Sequence, residues 1–332
     1  MTASLSLRVV LVGLFVGALL TPVVIRWLRG RGTLDVPNER SLHASPVPRG
    51  AGIALIAATL IADLSAGEPS RAAWVVLLAA TALGIIGIVE DLRGLSPSTR
   101  LALHSAFAVG AALALDHRGV STPRLMFQIV AVAGAVIYLC NAVNFMDGIN
   151  GISAAQAIAG GGCLALYGHL EHLAELQRGG LALVGAALAF LPFNVPRAKV
   201  FLGDGGSYFV GAWLSLLIGV GYVAGLNPLV LLAPMVLYLA DTSTTMLRRL
   251  LRHEPLMQPH RDHAYQRLVA AGWSHSKVSA AVFALMALHG ALALWVRSAS
   301  LGLQGVSASL IFASTVGYLY LPLFLVRGSA RT

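Results

Sequence analysis

The chain has 332 residues, of which 57% are hydrophobic and only 11% charged, with a formal net charge of +9. That length would suit two soluble domains, but the composition and the long apolar runs exclude them and indicate a polytopic membrane protein. The positive excess does not call for nucleic acid, because arginine beside apolar spans is the ordinary orientation signal of membrane proteins.

At the usual length of roughly 17–25 residues, about eleven candidate spans can be laid along the chain. They start near Leu7, Gly52, Trp74, Leu101, Leu125, Ile152, Leu181, Tyr208, Pro228, Val278 and Ser307, those from Gly52 and Leu101 being the shorter. The first runs apolar from Val9 to Ile25 without a small-residue cleavage site, so it is expected to be retained rather than removed as a secretory signal. Cys140 and Cys163 fall in or beside spans, where a thiol acts as a small apolar residue, and imply no disulfide framework. The expected fold is an all-α polytopic bundle of about 10–11 transmembrane helices, a single integral membrane domain over residues 1–332.

The first span is followed by Arg26, Arg29 and Arg31 and by a polar loop from Thr33 to Gly50. The positive-inside rule puts that loop in the cytoplasm and the N-terminus outside. Alternating from there, Glu90 to Arg100, Pro196 to Gly206, Arg248 to Lys277 and the tail from Arg327 share the cytoplasmic side, which holds 17 of the 23 Lys and Arg residues. The polar clusters share that face too: Glu90-Asp91, Asn141 to Gly151, Gly203 to Ser207 and Pro259 to His263. The outward loops carry only scattered charges such as Asp116, Arg118, Glu171 and Glu175, and Asp63 is the main intramembrane carboxylate, near the outer end of a short span. Groups gathered at one surface suit an interfacial enzyme. A transporter, the alternative, more often places polar groups at mid-membrane depth.

Each cluster admits a functional and a plain structural account. Glu90-Asp91 could serve a metal or a proton transfer, or could end a helix before a turn at Gly94. In Phe201-Leu-Gly-Asp204-Gly-Gly-Ser207, backbone N–H groups, a helix N-terminus and a carboxylate could meet one phosphate, or Asp204 could simply cap a helix. The stretch Asn141-Ala-Val-Asn144-Phe-Met-Asp147-Gly-Ile-Asn150-Gly151 is more specific. Its amide and carboxylate oxygens suit a hard cation such as Mg²⁺ sharing ligands with substrate phosphates, and spacing by three puts 141, 144, 147 and 150 on one face if the segment is helical. The loop from Arg248 to Lys277 holds His253, His260, His263 and His275 with Arg261 and Arg267. It lacks the thiolates or His-Glu-x-x-His pattern of a zinc site; its imidazoles and guanidiniums suit a pyrophosphate, or anionic lipid.

Taken together, residues from about Leu34 to Lys277 resemble the polyprenyl-phosphate N-acetylhexosamine-1-phosphate transferase superfamily, the MraY/WecA-like family 4 membrane enzymes. Arg40-Ser-Leu-His43-Ala-Ser-Pro-Val-Pro-Arg49-Gly50 is similar to the family's first cytoplasmic loop. Glu90-Asp91 falls at its acidic pair, with Arg100 at the basic position after it. Asn141 to Gly151 is similar to the Asn-x-x-Asn-x-x-Asp-Gly signature, and Phe201 to Ser207 to the Gly-Asp-x-Gly-Ser motif. His260-Arg-Asp-His263-Ala-Tyr-Gln-Arg-Leu268 resembles the last-loop motif of the branch that starts O-antigen chains. Two positions depart from the pattern: Glu90 stands where the pair usually has Asp, and Asn150 stands where the peptidoglycan branch has an acidic residue.

The resemblance implies transfer of N-acetylhexosamine-1-phosphate from a UDP-sugar to polyprenyl (undecaprenyl) phosphate, with release of UMP, at the inner (plasma) membrane. Membrane lipids would be further partners, nucleic acid would not, and a homodimer is compatible with it. It implies Mg²⁺, with Mn²⁺ an acceptable substitute, held by Asp204 and Asn144. Glu90 and Asp91 would orient the lipid phosphate or take a residual proton, with Asp147, His260 and His263 also at the chemistry. Arg100, Asn141, Asn150, Arg261, Arg49 and His43 would bind substrate. A CDP-alcohol phosphotransferase is set aside because its Asp-Gly-x-x-Ala-Arg signature is absent: Asp147-Gly148 continues as Ile-Asn-Gly-Ile.

Overall fold

The computed structural model of the chain describes every residue except 38–44, 116, 118, 119, 256–259 and 330–332, with side chains as far as residue 325. It is helical throughout: α1 Ala3–Gly30, α2 Gly52–Leu64, α3 Arg71–Arg93, α4 Pro97–Ala114, α5 Thr122–Met146, α6 Ile152–Leu170, α7 Ala174–Asn194, α8 Gly203–Val223, α9 Pro228–Leu232, α10 Val236–Leu251, α11 Ala264–Ala270, α12 His275–Trp295 and α13 Leu301–Ser329. A two-residue ribbon, β1 Leu34–Asp35 against β2 Val47–Pro48, is the one sheet among the described residues.

Every expected span has its helix, but among the described residues only eight stretches are both long and apolar enough to cross a membrane. The shortfall from about eleven has physical causes. Helix α2 has 13 residues, about 20 Å at 1.5 Å per residue, too short for a hydrocarbon core of about 30 Å. Helices α4 and α6 reach span length but are diluted by Arg100 and His104 in one and Gln156 and His169 in the other. The span expected from Pro228 is among the eight, although it is built of α9, a 3₁₀ turn at Ala233–Met235 and α10, with Pro234 unable to donate a helical hydrogen bond.

Polar caps set the helix starts. The Oγ of Ser70, Ser96 and Ser274 accepts from the backbone N–H of Ala73, Thr99 and Lys277, and Asn227 Oδ1 accepts from Leu229 ahead of Pro228. Helix α8 is the hub: almost its whole length is buried, between α3, α5, α7 and α2, whereas α1 and α13 are largely exposed on the outside of the bundle. Close approach depends on missing side chains. A Cβ on Gly52 would run into the backbone of Gly206, and one on Gly87 into that of Asp204, so α2, α3 and the start of α8 meet backbone to backbone. At the far end of α2, Asp63 and Arg178 form a buried ion pair: Nη2 donates to Oδ2 at 2.8 Å and Nε to Oδ1 at 3.0 Å.

Candidate active site

The N-terminus of α8 is the floor of the site. Gly203 enters it at φ +79°, a conformation natural to glycine, and a Cβ there would lie 2.6 Å from Asp91 Oδ2. Asp91, near the end of α3, caps this helix from outside: its Oδ1 accepts from the Asp204 N–H and its Oδ2 from the Gly205 N–H, both at 3.0 Å. Of the two accounts open for this loop, a phosphate cradle or a helix cap, the structure shows these two amides held by a protein carboxylate. Glu90-Asp91 does end a helix before a turn at Gly94, whose φ is +69°.

Arg49 lies across the two carboxylates, with Nη2 2.6 Å from Asp204 Oδ1 and Nε 2.9 Å from Asp91 Oδ1. It is held there by backbone. Phe201 N–H donates to the Pro48 carbonyl, and Gly50 and Ala51 N–H donate to that of Phe201, lacing the first loop onto the loop before α8. Burial disfavours the charge of Arg49, but Asp204, Asp91, Asp35 and Asp147 outweigh it and raise its pKa above the ordinary value. Asn144, on α5, donates from Nδ2 to Asp204 Oδ1 at 2.7 Å and to Ser207 Oγ at 3.0 Å.

The one-face reading of the Asn/Asp stretch holds only for its first half. Helix α5 ends at Met146, so Asn141 and Asn144 are helical while Asp147 caps the helix and Asn150 lies in the following turn. Asn141 turns its amide back to the Ile137 carbonyl at 2.7 Å. Asn150 faces away from Asp204: its Nδ2 donates to the Pro196 carbonyl at 3.0 Å and its own carbonyl accepts from Ser279. Asp147 accepts from Ser153 Oγ at 2.5 Å. Burial raises its carboxyl from 3.8 to about 7; Ser153 and Arg49 oppose the shift, and the negative charges of Asp204 and Asp91 add to it.

Glu90 points to the other side of α3, where Arg100 Nη1 donates to its Oε1 at 3.3 Å and to the Tyr208 hydroxyl at 3.2 Å. Its Oε2 is buried without a partner among the described residues. A cleft of about 600 Å³ opens from here, with Arg100, Asn141 and Asn144 on one side and His260, His263 and Gln266 on the other. Its wall continues up α5 through Tyr138 and Ile137 to Gly134, about 15 Å from Asn144 along the helix axis.

On the last loop, His263 is buried and stacked between His260 at 5.0 Å and Tyr265 at 5.7 Å between ring centroids. Its Nδ1 is 3.3 Å from Asp241 Oδ1, on α10. Sequence reasoning passed over Asp241, which is fully buried and also accepts from the Ala264 N–H at 2.9 Å, from Thr245 and from the Tyr318 hydroxyl at 3.1 Å. Its one signal was a lone carboxylate inside an apolar run, the criterion that had picked out Asp63. Burial, then the charges of His263 and Arg249, lower the pKa of His260 to about 4, so at neutral pH it is an uncharged imidazole and not a cationic clamp. Arg261 is exposed in the turn before α11, and His43 lies outside the described residues.

Among the described residues no cluster of three or more His, Cys, Asp or Glu side chains forms a complete metal cage. The donor set nevertheless fits Mg²⁺, which keeps waters and shares substrate phosphates while using one or two protein carboxylates. Asp204 Oδ2 takes no hydrogen bond among the described residues, and Asn144 sits beside it.

Residues 73–221, which contain Glu90, Asp91, Arg100, Asn144 and Asp204, match the family model of glycosyl transferase family 4. Over 306 residues the chain is 25% identical to the "Probable undecaprenyl-phosphate N-acetylglucosaminyl 1-phosphate transferase" of Bacillus subtilis (strain 168), covering 89% of this chain and 86% of that protein. It is 27% identical to the decaprenyl-phosphate N-acetylglucosaminephosphotransferase of Mycolicibacterium smegmatis (strain ATCC 700084 / mc(2)155), covering 91% of this chain and 82% of that one. With the like-named protein of Mycobacterium tuberculosis (strain CDC 1551 / Oshkosh) the identity is 28%, over 87% and 78%. The motif resemblance, the helical membrane fold and these matches over most of the chain agree in likening it to the MraY/WecA-like enzymes of glycosyl transferase family 4.

Proposed function

We propose that the protein transfers N-acetylhexosamine-1-phosphate from a UDP-sugar to polyprenyl phosphate, releasing UMP, as the first membrane step of a cell-envelope polysaccharide of the O-antigen kind. The observation that carries this reading is the single cleft in which Arg100, Asn144 and His263 meet below an apolar wall on α5. A lipid phosphate can enter such a cleft from the bilayer while its donor arrives from the aqueous end, which we assign to the cytoplasm. The relatives named above are described as acting on undecaprenyl or decaprenyl phosphate, in line with this acceptor.

The acceptor phosphate monoester has a second pKa near about 6, so it is already a nucleophile at neutral pH and needs no strong base. The difficulty is to bring two anions together. Arg100 and Arg261 supply positive charge, and Arg49, tied to Asp91 and Asp204, keeps the acidic centre from repelling the phosphates outright. Asp91 acts here by organising the first turn of α8, and Glu90 by orienting Arg100. Neutral His260 offers one donor and one acceptor, and His263, oriented by Asp241 at Nδ1, turns Nε2 to the donor's diphosphate. Asp147, half ionised near pH 7, can take the residual proton of the lipid phosphate. Asp204 with Asn144 would hold Mg²⁺, which supplies charge neutralisation for the leaving UMP.

Purified protein given UDP-N-acetylglucosamine, polyprenyl phosphate and Mg²⁺ is expected to release UMP and form a lipid-linked diphosphosugar. Uptake of a solute by proteoliposomes without UMP release would favour the transporter reading instead. A panel of UDP-sugars would then assign the hexosamine.

A further inference from the structure

Helix α10 has a second groove on its other side, also of about 600 Å³, between α10, the turn before α11, α11 and α13. The two grooves divide the last loop between them. His260, His263 and Gln266 line the first, and Asp262 and Arg267 line the second. The second has a basic rim of Arg248, Arg252 and Arg267 and a wall of Leu247, Leu319 and Leu323.

Arg249 also lines this groove, but it is neutralised by Glu254 at 3.0 Å and Asp262 at 2.7 Å. The other three arginines are not. Among the described residues Arg248 donates only to the Thr244 carbonyl, the Thr245 hydroxyl and the Asp262 carbonyl, and no carboxylate forms an ion pair with Arg248, Arg252 or Arg267. Burial and the charge of Arg248, with that of Arg252, lower the pKa of Arg267 in spite of Asp241 and Asp262. Positive charge is therefore concentrated here beyond what the chain itself compensates.

The apolar wall belongs to a span. Leu319 and Leu323 lie in the membrane-crossing stretch of α13, and Leu247 and Leu323 are 54% and 42% exposed. A guanidinium cluster at a helix end beside partly exposed leucines is complementary to an amphiphile with a phosphate head and an acyl tail. We propose that this groove binds an anionic glycerophospholipid of the surrounding bilayer, its phosphate on Arg248, Arg252 and Arg267 and an acyl chain along Leu247, Leu319 and Leu323. The Arg248 contact to the Asp262 carbonyl then ties the lipid to the turn that carries His263.

The test uses the full-length protein purified in detergent, with bound lipid read by native mass spectrometry. Phosphatidylglycerol is expected to be retained over phosphatidylcholine by roughly tenfold or more, and the Arg252→Gln/Arg267→Gln double variant is expected to lose that preference. Equal retention of the two lipids by the wild type, or an undiminished preference in the double variant, would overturn the proposal. Should the variant not fold, photo-crosslinkable phosphatidylglycerol on the wild type decides: labelling within 247–252 and 319–323 supports the site, and labelling elsewhere sinks it. Displacement of phosphatidylglycerol by polyprenyl phosphate would make the groove part of the acceptor's path and equally overturn the assignment. None of these readouts depends on transferase activity, so they stand or fall apart from the reaction proposed above.

Discussion

Two arginine–carboxylate clusters sit at opposite ends of α2, about 16 Å apart along its axis, and they are built on different arithmetic. At one end Arg178 meets a single carboxylate, Asp63, and spends its remaining donors on the carbonyls of Asp63, Gly67 and Glu68. At the other, one Arg49 faces Asp91 and Asp204 directly and feels Asp147 and Asp35 as well. A pair whose donors and acceptors are matched locks a loop in place and has nothing left to offer. A cluster with more carboxylates than cations, and with an oxygen on Asp204 unclaimed among the described residues, is where the Mg²⁺ proposed above would sit.

Breaking each cluster should therefore fail in a different way. The largest effect on turnover is expected for Asp204→Asn, a loss of about 10³-fold or more in UMP release from protein that still inserts and melts normally. Near-normal turnover of the purified variant would remove the metal assignment. Asp63→Ala should do the reverse, leaving Arg178 uncompensated in the interior and lowering stability by about 3–5 kcal/mol, with the specific activity of the folded fraction retained. Denaturation midpoints measured beside initial rates would separate the two.

Intermediate effects test the supporting groups. Asp241→Asn should lower kcat by about 10–100-fold while leaving substrate KM closer to normal, because it frees the ring of His263 rather than removing a substrate contact. A variant with wild-type kcat would reduce Asp241 to a packing role. Asp147 gives a pH signature. Its carboxyl is raised from 3.8 to about 7 by burial first, so the folded chain holds a proton that the unfolded chain releases between those values. The stability this proton confers is intact below about pH 4 and is lost as pH rises through about 7. Asp147→Asn should flatten that slope in thermal melts, and an unchanged slope would show that another group carries it. The smallest change, about 2-fold or less in rate, is expected for Asn141→Ala, since that amide is already spent on the Ile137 carbonyl.

What could be read from the chain alone follows from the range over which each signal acts. Apolar runs are local, so the presence of a helix for each expected span was legible, as was the turn at Gly94, but the starts expected near Leu181, Tyr208 and Ser307 lie inside helices that begin at Ala174, Gly203 and Leu301. The four polar clusters were visible as clusters. Their pairings were not, because Arg49 meets Asp204 across 155 positions and Asp91 reaches the Asp204 amide across 113. Asp63 and Asp241 present the same lone-carboxylate signal in apolar runs, yet one faces Arg178 at the far end and the other steadies His263. Only tertiary structure tells which partner each has found.

The floor of the site leaves little room for variation. Where Gly52, Gly87, Gly205 and Gly206 let main chains touch, there is no side chain to exchange and hardly space to introduce one. Efforts to retune the proposed sugar-nucleotide preference would thus gain little at the base and should be directed to the last loop, where Arg261 is exposed and Gln266 is half-buried.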